Sequence, residues 1–232
     1  MPAALGLGAV AAALIVATVV RPAAEVSPAI PTGAPAHRAD GGGIVFVGAS
    51  YTAGLGAHPH TDGYAYLVGR DLGEPVEVDA ISGTGFTNSG PRHQGTFDDR
   101  IRHLPRDWSP HLLVLQGGRN DVGWPVARLG PAVADTLTEA RSRFPQAGLA
   151  VIGPIPGTLP ISPALRAVNG VLAGVCRADH VLFIDAIGQG WISPDNVRRF
   201  AGSVPQHPNN AGYAYIASHV AAALRPLLAT DR

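Results

Sequence analysis

From Gly43 onward, short apolar runs alternate with longer stretches in which apolar residues recur every three or four positions. The runs Ile44 to Val47, Val76 to Ala80, Leu112 to Gln116, Leu149 to Gly153 and Val181 to Asp185 predict strands, most of them apolar enough to be buried on both faces. Helical spacing lies between and after them, over Gly63 to Leu72, Thr96 to Leu104, Val126 to Phe144, Pro163 to Ala178 and Asn210 to Leu224. In the last of these, Tyr213, Ile216, Val220 and Ala223 follow one another at steps of three and four, and Pro226 predicts the stop. Strands regularly interleaved with helices predict an α/β fold, a three-layer α/β/α sandwich around a five-stranded, mainly parallel sheet. No internal repeat is visible. Sites in such sheets form beyond the carboxyl ends of the strands, where strand order switches. Ser50, Gly83 and Asn120 each follow a predicted strand end, so three separated segments can meet on one edge.

Ahead of this pattern, Ala3 to Val20 carries no charged or strongly polar residue and is followed by Arg21. Its length suffices to span a bilayer, so residues 1–24 read either as a signal peptide or as a signal-anchor helix. Small residues at Ala23 and Ala24, or around Ser27 and Ala29, would serve a cleavage site. Residues 25–42, rich in Pro, Ala and Gly and without apolar periodicity, read as a flexible tether to a domain over 43–232. The expected location is secreted or membrane-anchored, outside the cytoplasm, the N-terminal helix serving as membrane tether in the anchored reading.

Composition narrows the partners. Lys and Arg together number 17, all of them Arg, against 17 Asp and Glu, so there is no net charge. No broad electrostatic footprint for nucleic acid results, and a small-molecule, lipid or glycan substrate is the better expectation. Cys176 is the only cysteine, which excludes an intrachain disulfide, and its periodic surroundings predict a small core residue. His58 and His60 flank a proline with no cluster of Cys or carboxylates nearby, a poor metal site, and no cofactor is expected.

Three segments carry candidate chemistry: Ser50 in IVFVGASYTAG, Asn120 in GGRND and His207 in HPNNAGY. Serine needs a base to become a nucleophile at neutral pH, and an oxyanion needs preorganised donors. Taken singly, Ser50 also suits a helix N-cap, and Asn120 with Asp121 suits an ordinary turn. The order and intervals of all three argue for the chemistry. A nucleophile elbow is absent, since Thr52 stands where the second glycine of GxSxG would be, and the first loop has neither a Walker lysine nor a dinucleotide glycine pattern. Trp124, Trp191, Tyr51 and Phe86, all close to strand ends, fit a pocket lining and a core equally well.

In order and content these motifs resemble the SGNH (GDSL-type) hydrolases over nearly all of Gly43 to Leu228. Gly48, Ala49 and Ser50 stand for the nucleophile block. Gly83, with Gly85 as the alternative, stands for the glycine block, and Gly118, Arg119, Asn120 and Asp121 for GxND. His207, followed by Pro208 and Asn209, stands for the last block. The resemblance implies a flavodoxin-like sheet and an esterase or lipase without cofactor. In that reading Ser50 attacks the acyl carbonyl, and His207 serves as general base. The backbone N–H of Ser50, the backbone N–H of Gly83 and the side-chain amide of Asn120 form the oxyanion hole. An O-acyltransferase on cell-envelope sugars would use the same residues, and a non-catalytic binding module would keep the pocket without turnover. Two positions depart from the family. Ala49 replaces the usual Asp beside the nucleophile, and Val204 occupies the place of the triad Asp three residues before the histidine. His207 then needs another orienter: a backbone carbonyl near Val204, the hydroxyl of Ser203, or Asp195. The carbonyl is preferred, giving a Ser-His dyad such as some members of that family use, while Asp121 supports the Asn120 loop.

Overall fold

The predicted apolar runs become the middle layer of a sandwich because both of their faces are covered. The computed structural model describes residues 42–229. The predicted leader or anchor over 1–24, and all but the last residue of the predicted tether, lie outside them. The strands are β1 (Ile44–Gly48), β2 (Val76–Ala80), β3 (Leu112–Gln116), β4 (Gly148–Ile152) and β5 (Leu182–Ile184). The helices are α1 (Tyr64–Leu72), α2 (Phe97–Arg102), α3 (Val126–Arg143), α4 (Pro163–Ala178), α5 (Val197–Phe200) and α6 (Asn210–Ala229). The sheet is parallel throughout, in the order β2-β1-β3-β4-β5.

Strand periodicity divides the interior into two cores. Val45, Val47, Leu113, Leu115 and Val151 point to one face, where Phe97, Leu137, Leu172 and Cys176 of α2, α3 and α4 cover them. Ile44, Phe46, Leu112, Val114 and Ile152 point to the other, against Tyr64 and Val68 of α1 and Tyr213, Ile216 and Val220 of α6. Each fully buried Val, Leu or Ile side chain contributes roughly 1.5–3 kcal/mol, which is why central strands read as unbroken apolar runs. Desolvation, with a contribution from Asp179, pushes the Cys176 thiol up to about 12, so it is an inert core group.

Beyond shifts of one or two residues at the ends of elements, two details differ from the expectation. The last helix does not stop at Pro226 but runs to Ala229. The proline loses one backbone donor, yet Leu227 and Leu228 pack against the apolar core between α1 and α6, and this burial keeps the last turn helical. The four-residue α5 has no counterpart in the sequence pattern, because one turn is too short to show a period.

From β1 the chain passes through α1 to β2 on one side, then returns through α2 to β3 on the other side of β1. The strand order therefore switches between β1 and β3, and the crevice beyond their carboxyl ends is the place such a sheet offers for a ligand.

Candidate active site

The nucleophile candidate sits on a tight turn directly after β1. Ala53 N donates to Ala49 O at 2.9 Å and Leu55 N to Ser50 O at 3.0 Å, a helical turn that continues from the strand end. Thr52 is completely buried and locks the turn against β3 and α1, with its Oγ1 2.9 Å from the Tyr64 hydroxyl and 3.2 Å from Gln116 Oε1. This packing needs glycine at position 48: a Cβ there would lie 2.0 Å from Thr52 Oγ1.

His207 reaches this turn from the loop between α5 and α6, 157 residues along the chain. Its Nε2 is 2.8 Å from Ser50 Oγ. The other ring nitrogen, Nδ1, is 2.9 Å from the carbonyl oxygen of Pro205. A carbonyl only accepts, so that contact puts the proton on Nδ1 and leaves Nε2 to accept from the serine. A hydroxyl bonded to an accepting imidazole nitrogen is ready for general-base deprotonation. The carbonyl facing Nδ1 is thus one residue beyond Val204, and neither Ser203 nor Asp195 supplies it. The Val204 carbonyl instead accepts the backbone N–H of His207 at 3.1 Å. Asn209 then caps α6, its Oδ1 accepting from Gly212 N at 2.9 Å, while its amide donates to Arg199 O and Ala201 O at 2.9 and 3.1 Å. Tyr213 on α6 donates to Leu55 O at 2.7 Å, joining the histidine side of the site to the nucleophile turn.

The expected oxyanion donors Gly83 and Asn120 lie in the loops after β2 and β3. Gly83 has φ +85, where a side chain is disfavoured, and a Cβ there would meet Pro91 Cδ at 2.9 Å. Among the described residues neither the Ser50 nor the Gly83 backbone N–H is engaged in a hydrogen bond. The alternative, Gly85, is excluded on two counts. Its N–H donates to Asn88 O at 2.8 Å, and a Cβ would lie 2.6 Å from Asp121 Oδ2, so this glycine serves packing. Asn120 occupies a single 3-10 turn, Arg119–Asp121. Its Nδ2 donates to Thr84 O at 2.8 Å, which fixes the amide plane beside Gly83 and leaves its second N–H directed elsewhere. Asp121, 2% exposed, accepts from Thr87 N and Thr87 Oγ1, both at 2.7 Å. It braces the Asn120 loop and does not reach the imidazole.

The residue that organises these loops carried no motif. Arg100 of α2 is buried and donates to Asp79 Oδ2 at 3.2 Å, to Gly48 O at 3.0 Å and to Thr84 Oγ1 at 2.7 Å. Its Nη2 is 3.0 Å from Asp79 Oδ1. One guanidinium thereby ties the end of β1, the end of β2 and the Gly83–Thr84 loop. Phe86 and Trp191, 1% exposed each, are core, and Tyr51 is buried at 3% but lies against the His207 ring, with centroids 5.3 Å apart. Trp124 is exposed, beside exposed Val122 and Val126 on the rim after Asn120. The His58 and His60 rings stand 6.4 Å apart. Among the described residues no group of three or more His, Cys, Asp or Glu could hold a metal ion, and no helix is long and apolar enough to cross a membrane.

The comparisons with known proteins follow the same outline. In structure the chain is similar to a family two carbohydrate esterase from Clostridium thermocellum, at TM-score 0.67 and 20% identity over 84% of this chain and 66% of that one. It is also similar to a putative GDSL-like lipase from Bacteroides ovatus, at TM-score 0.63 and 18% identity over 80% of this chain and 53% of that one. At these identities the likeness is one of fold. In sequence it is 30% identical over 189 residues to a GDSL lipase of Mycobacterium tuberculosis, covering 77% of this chain and 79% of the relative. The family model for the GDSL-like lipase/acylhydrolase family matches residues 46–215, from within β1 to within α6, and so takes in the serine turn, the GxND loop and the histidine. With that span and those motifs, the chain belongs to the GDSL-like lipase/acylhydrolase family, a family of ester hydrolases.

Proposed function

We propose that the protein is a serine hydrolase of carboxylic esters that works through an acyl-enzyme on Ser50. His207 Nε2 takes the hydroxyl proton as Oγ bonds to the acyl carbon, and the same proton passes to the alcohol oxygen as its bond to that carbon breaks. Water then repeats the sequence, giving its proton to Nε2 and releasing the carboxylic acid and the free serine. Through both steps the oxyanion lies against the N–H groups of Ser50 and Gly83 and the Asn120 amide. The Pro205 carbonyl fixes the tautomer and favours the imidazolium that forms, so the working unit is a Ser–His pair oriented by backbone. The substrate is an ester of a small molecule, lipid or glycan, and the apolar run over residues 3–20 supports an exported or membrane-tethered enzyme. The observation that carries the proposal is the 2.8 Å contact between Ser50 Oγ and His207 Nε2, with a carbonyl on the opposite ring nitrogen.

The test is steady-state hydrolysis of p-nitrophenyl acetate by the purified protein and by Asn120→Ala. Removing one oxyanion donor is expected to lower kcat by about 10²- to 10³-fold, with little change in KM. A wild-type rate no higher than buffer, or an unchanged kcat in Asn120→Ala, would contradict the proposal.

A further inference from the structure

We infer that Tyr51, Arg119 and Gln206 form a clamp that positions His207 for proton transfer, an inference that rests on the role proposed for Ser50 and His207. The loop that carries the histidine has little packing of its own, since Ser203, Pro205 and Gln206 are exposed. Yet it must present the Pro205 carbonyl to Nδ1 and Nε2 to Ser50 at the same time. Gln206, directly before the histidine, adopts φ +62, a left-handed conformation that disfavours side chains. Glycine would occupy it without strain, but glycine lacks what Gln206 contributes. Its Oε1 accepts from Arg119 Nη2 at 2.6 Å, and its backbone carbonyl accepts from the Tyr51 hydroxyl at 2.7 Å. Burial raises the Tyr51 hydroxyl above its ordinary range, with Arg119 opposing, and the group stays a donor at neutral pH.

Arg119 does more than meet one amide. Its Nη1 donates to Ile155 O at 3.3 Å, and its guanidinium lies 5.5 Å over the Tyr51 ring. It therefore spans the segment after β4, the residue after the nucleophile and the residue before the histidine. Gly157 closes the other side, where a Cβ would come within 2.3 Å of Gln206 O. The placement is specific: Tyr51 is the chain neighbour of Ser50, and Arg119 that of Asn120. Each of the two loops that would meet the substrate thus sends its adjacent residue to grip the loop that would supply the base. Registry between hydroxyl and imidazole is then set by side chains anchored in the same turns as the reacting groups.

The experiment compares p-nitrophenyl acetate kinetics and thermal midpoints of wild type, Tyr51→Phe, Arg119→Lys, Gln206→Gly, Gln206→Glu and the double variant Arg119→Lys/Gln206→Gly. Tyr51→Phe keeps the ring without the donor, Arg119→Lys keeps the charge without the fork, and Gln206→Gly suits the backbone but removes Oε1. Each should lower kcat by about tenfold to a hundredfold, the scale of a misplacement near 1 Å, while KM stays within about twofold. Gln206→Gly should lose kcat although its thermal midpoint remains within a few degrees of wild type, a split that a merely structural role does not produce. Gln206→Glu, which keeps an oxygen facing Arg119, should retain kcat within about threefold, and the double variant should be no worse than its poorer parent because one hydrogen bond is lost only once. Wild-type kcat in Gln206→Gly and Arg119→Lys, a raised KM at unchanged kcat, or additive losses in the double variant would overturn the clamp. Should wild type itself fail to hydrolyse the ester, or should Ser50→Ala match it, the role of Ser50 and His207 falls and the clamp with it. An active wild type matched by its clamp variants removes the clamp alone.

Discussion

Ser50→Ala is expected to lower kcat/KM for ester hydrolysis by about 10⁴-fold or more while leaving the fold unchanged. Each factor of ten corresponds to about 1.4 kcal/mol of transition-state stabilisation, so the expected loss is roughly 5–6 kcal/mol. The size follows from the chemistry, because alanine offers no atom to bond the acyl carbon and the covalent route closes. What would remain is the set of oxyanion donors acting on a water, a minor contribution. The fold should not notice. The Ser50 side chain meets His207, its turn is held by Thr52, Tyr64 and Gln116, and serine to alanine removes a single oxygen from a half-buried position. A thermal midpoint within about 2 °C of wild type therefore accompanies the loss. Residual turnover above about a tenth of wild type, in protein free of contaminating esterase, would contradict the acyl-enzyme route.

Arg100→Met is expected to have the largest effect on stability, about 3–5 kcal/mol. Methionine fills similar volume, so packing is not the main loss. What is lost is the cation facing the Asp79 carboxylate, and with it the donors to Gly48 O, to Thr84 Oγ1 and to the carbonyl of Asp79 at 2.5 Å. Removing the buried guanidinium leaves the partly exposed Asp79 carboxylate without its cation, and several acceptors lose their donor together. For a domain of this size the shift is about 10 °C in thermal midpoint. Arg100→Lys keeps the charge but lacks the planar fork, and should recover only part of it. Because Gly48 ends β1 just before the serine turn and Thr84 adjoins Gly83, the folded fraction of Arg100→Met should also turn over more slowly. A midpoint within about 2 °C of wild type would show that Arg100 is dispensable to these loops.

The contrast between Arg100 and Ser50 marks where the sequence could be read. Strands β1 and β3 could be found because both faces are buried, so Ile44 to Val47 and Leu112 to Leu115 are apolar without interruption. The candidate site could be found because Ser50, Gly83 and Asn120 follow strand ends and, together with His207, keep the motif order of the family the chain resembles. Even the kind of group facing Nδ1 could be anticipated: a backbone carbonyl near Val204 is expected, and the one observed is that of Pro205. Arg100 could not be anticipated. Within FDDRIR it reads as one charge of an exposed amphipathic helix, and its partners come from three other segments. Tyr51 and Gln206 meet across 155 residues, and Arg119 and Gln206 across 87, separations at which residue type carries no local signal. The last turn of α6 was hidden for a different reason: Pro226 is a sound stop by local rules, and tertiary burial of the following leucines overrides it.

Activation of Ser50 by His207 has a direct chemical readout. The most direct measurement is the reaction of the purified protein with a fluorophosphonate, followed by mass spectrometry of the peptide containing the modified residue. A single adduct on Ser50 in wild type, lost in Ser50→Ala and slowed by orders of magnitude in His207→Ala, is the expected result. No adduct on Ser50 in folded wild-type protein, or an adduct formed equally fast without the His207 imidazole, would contradict it.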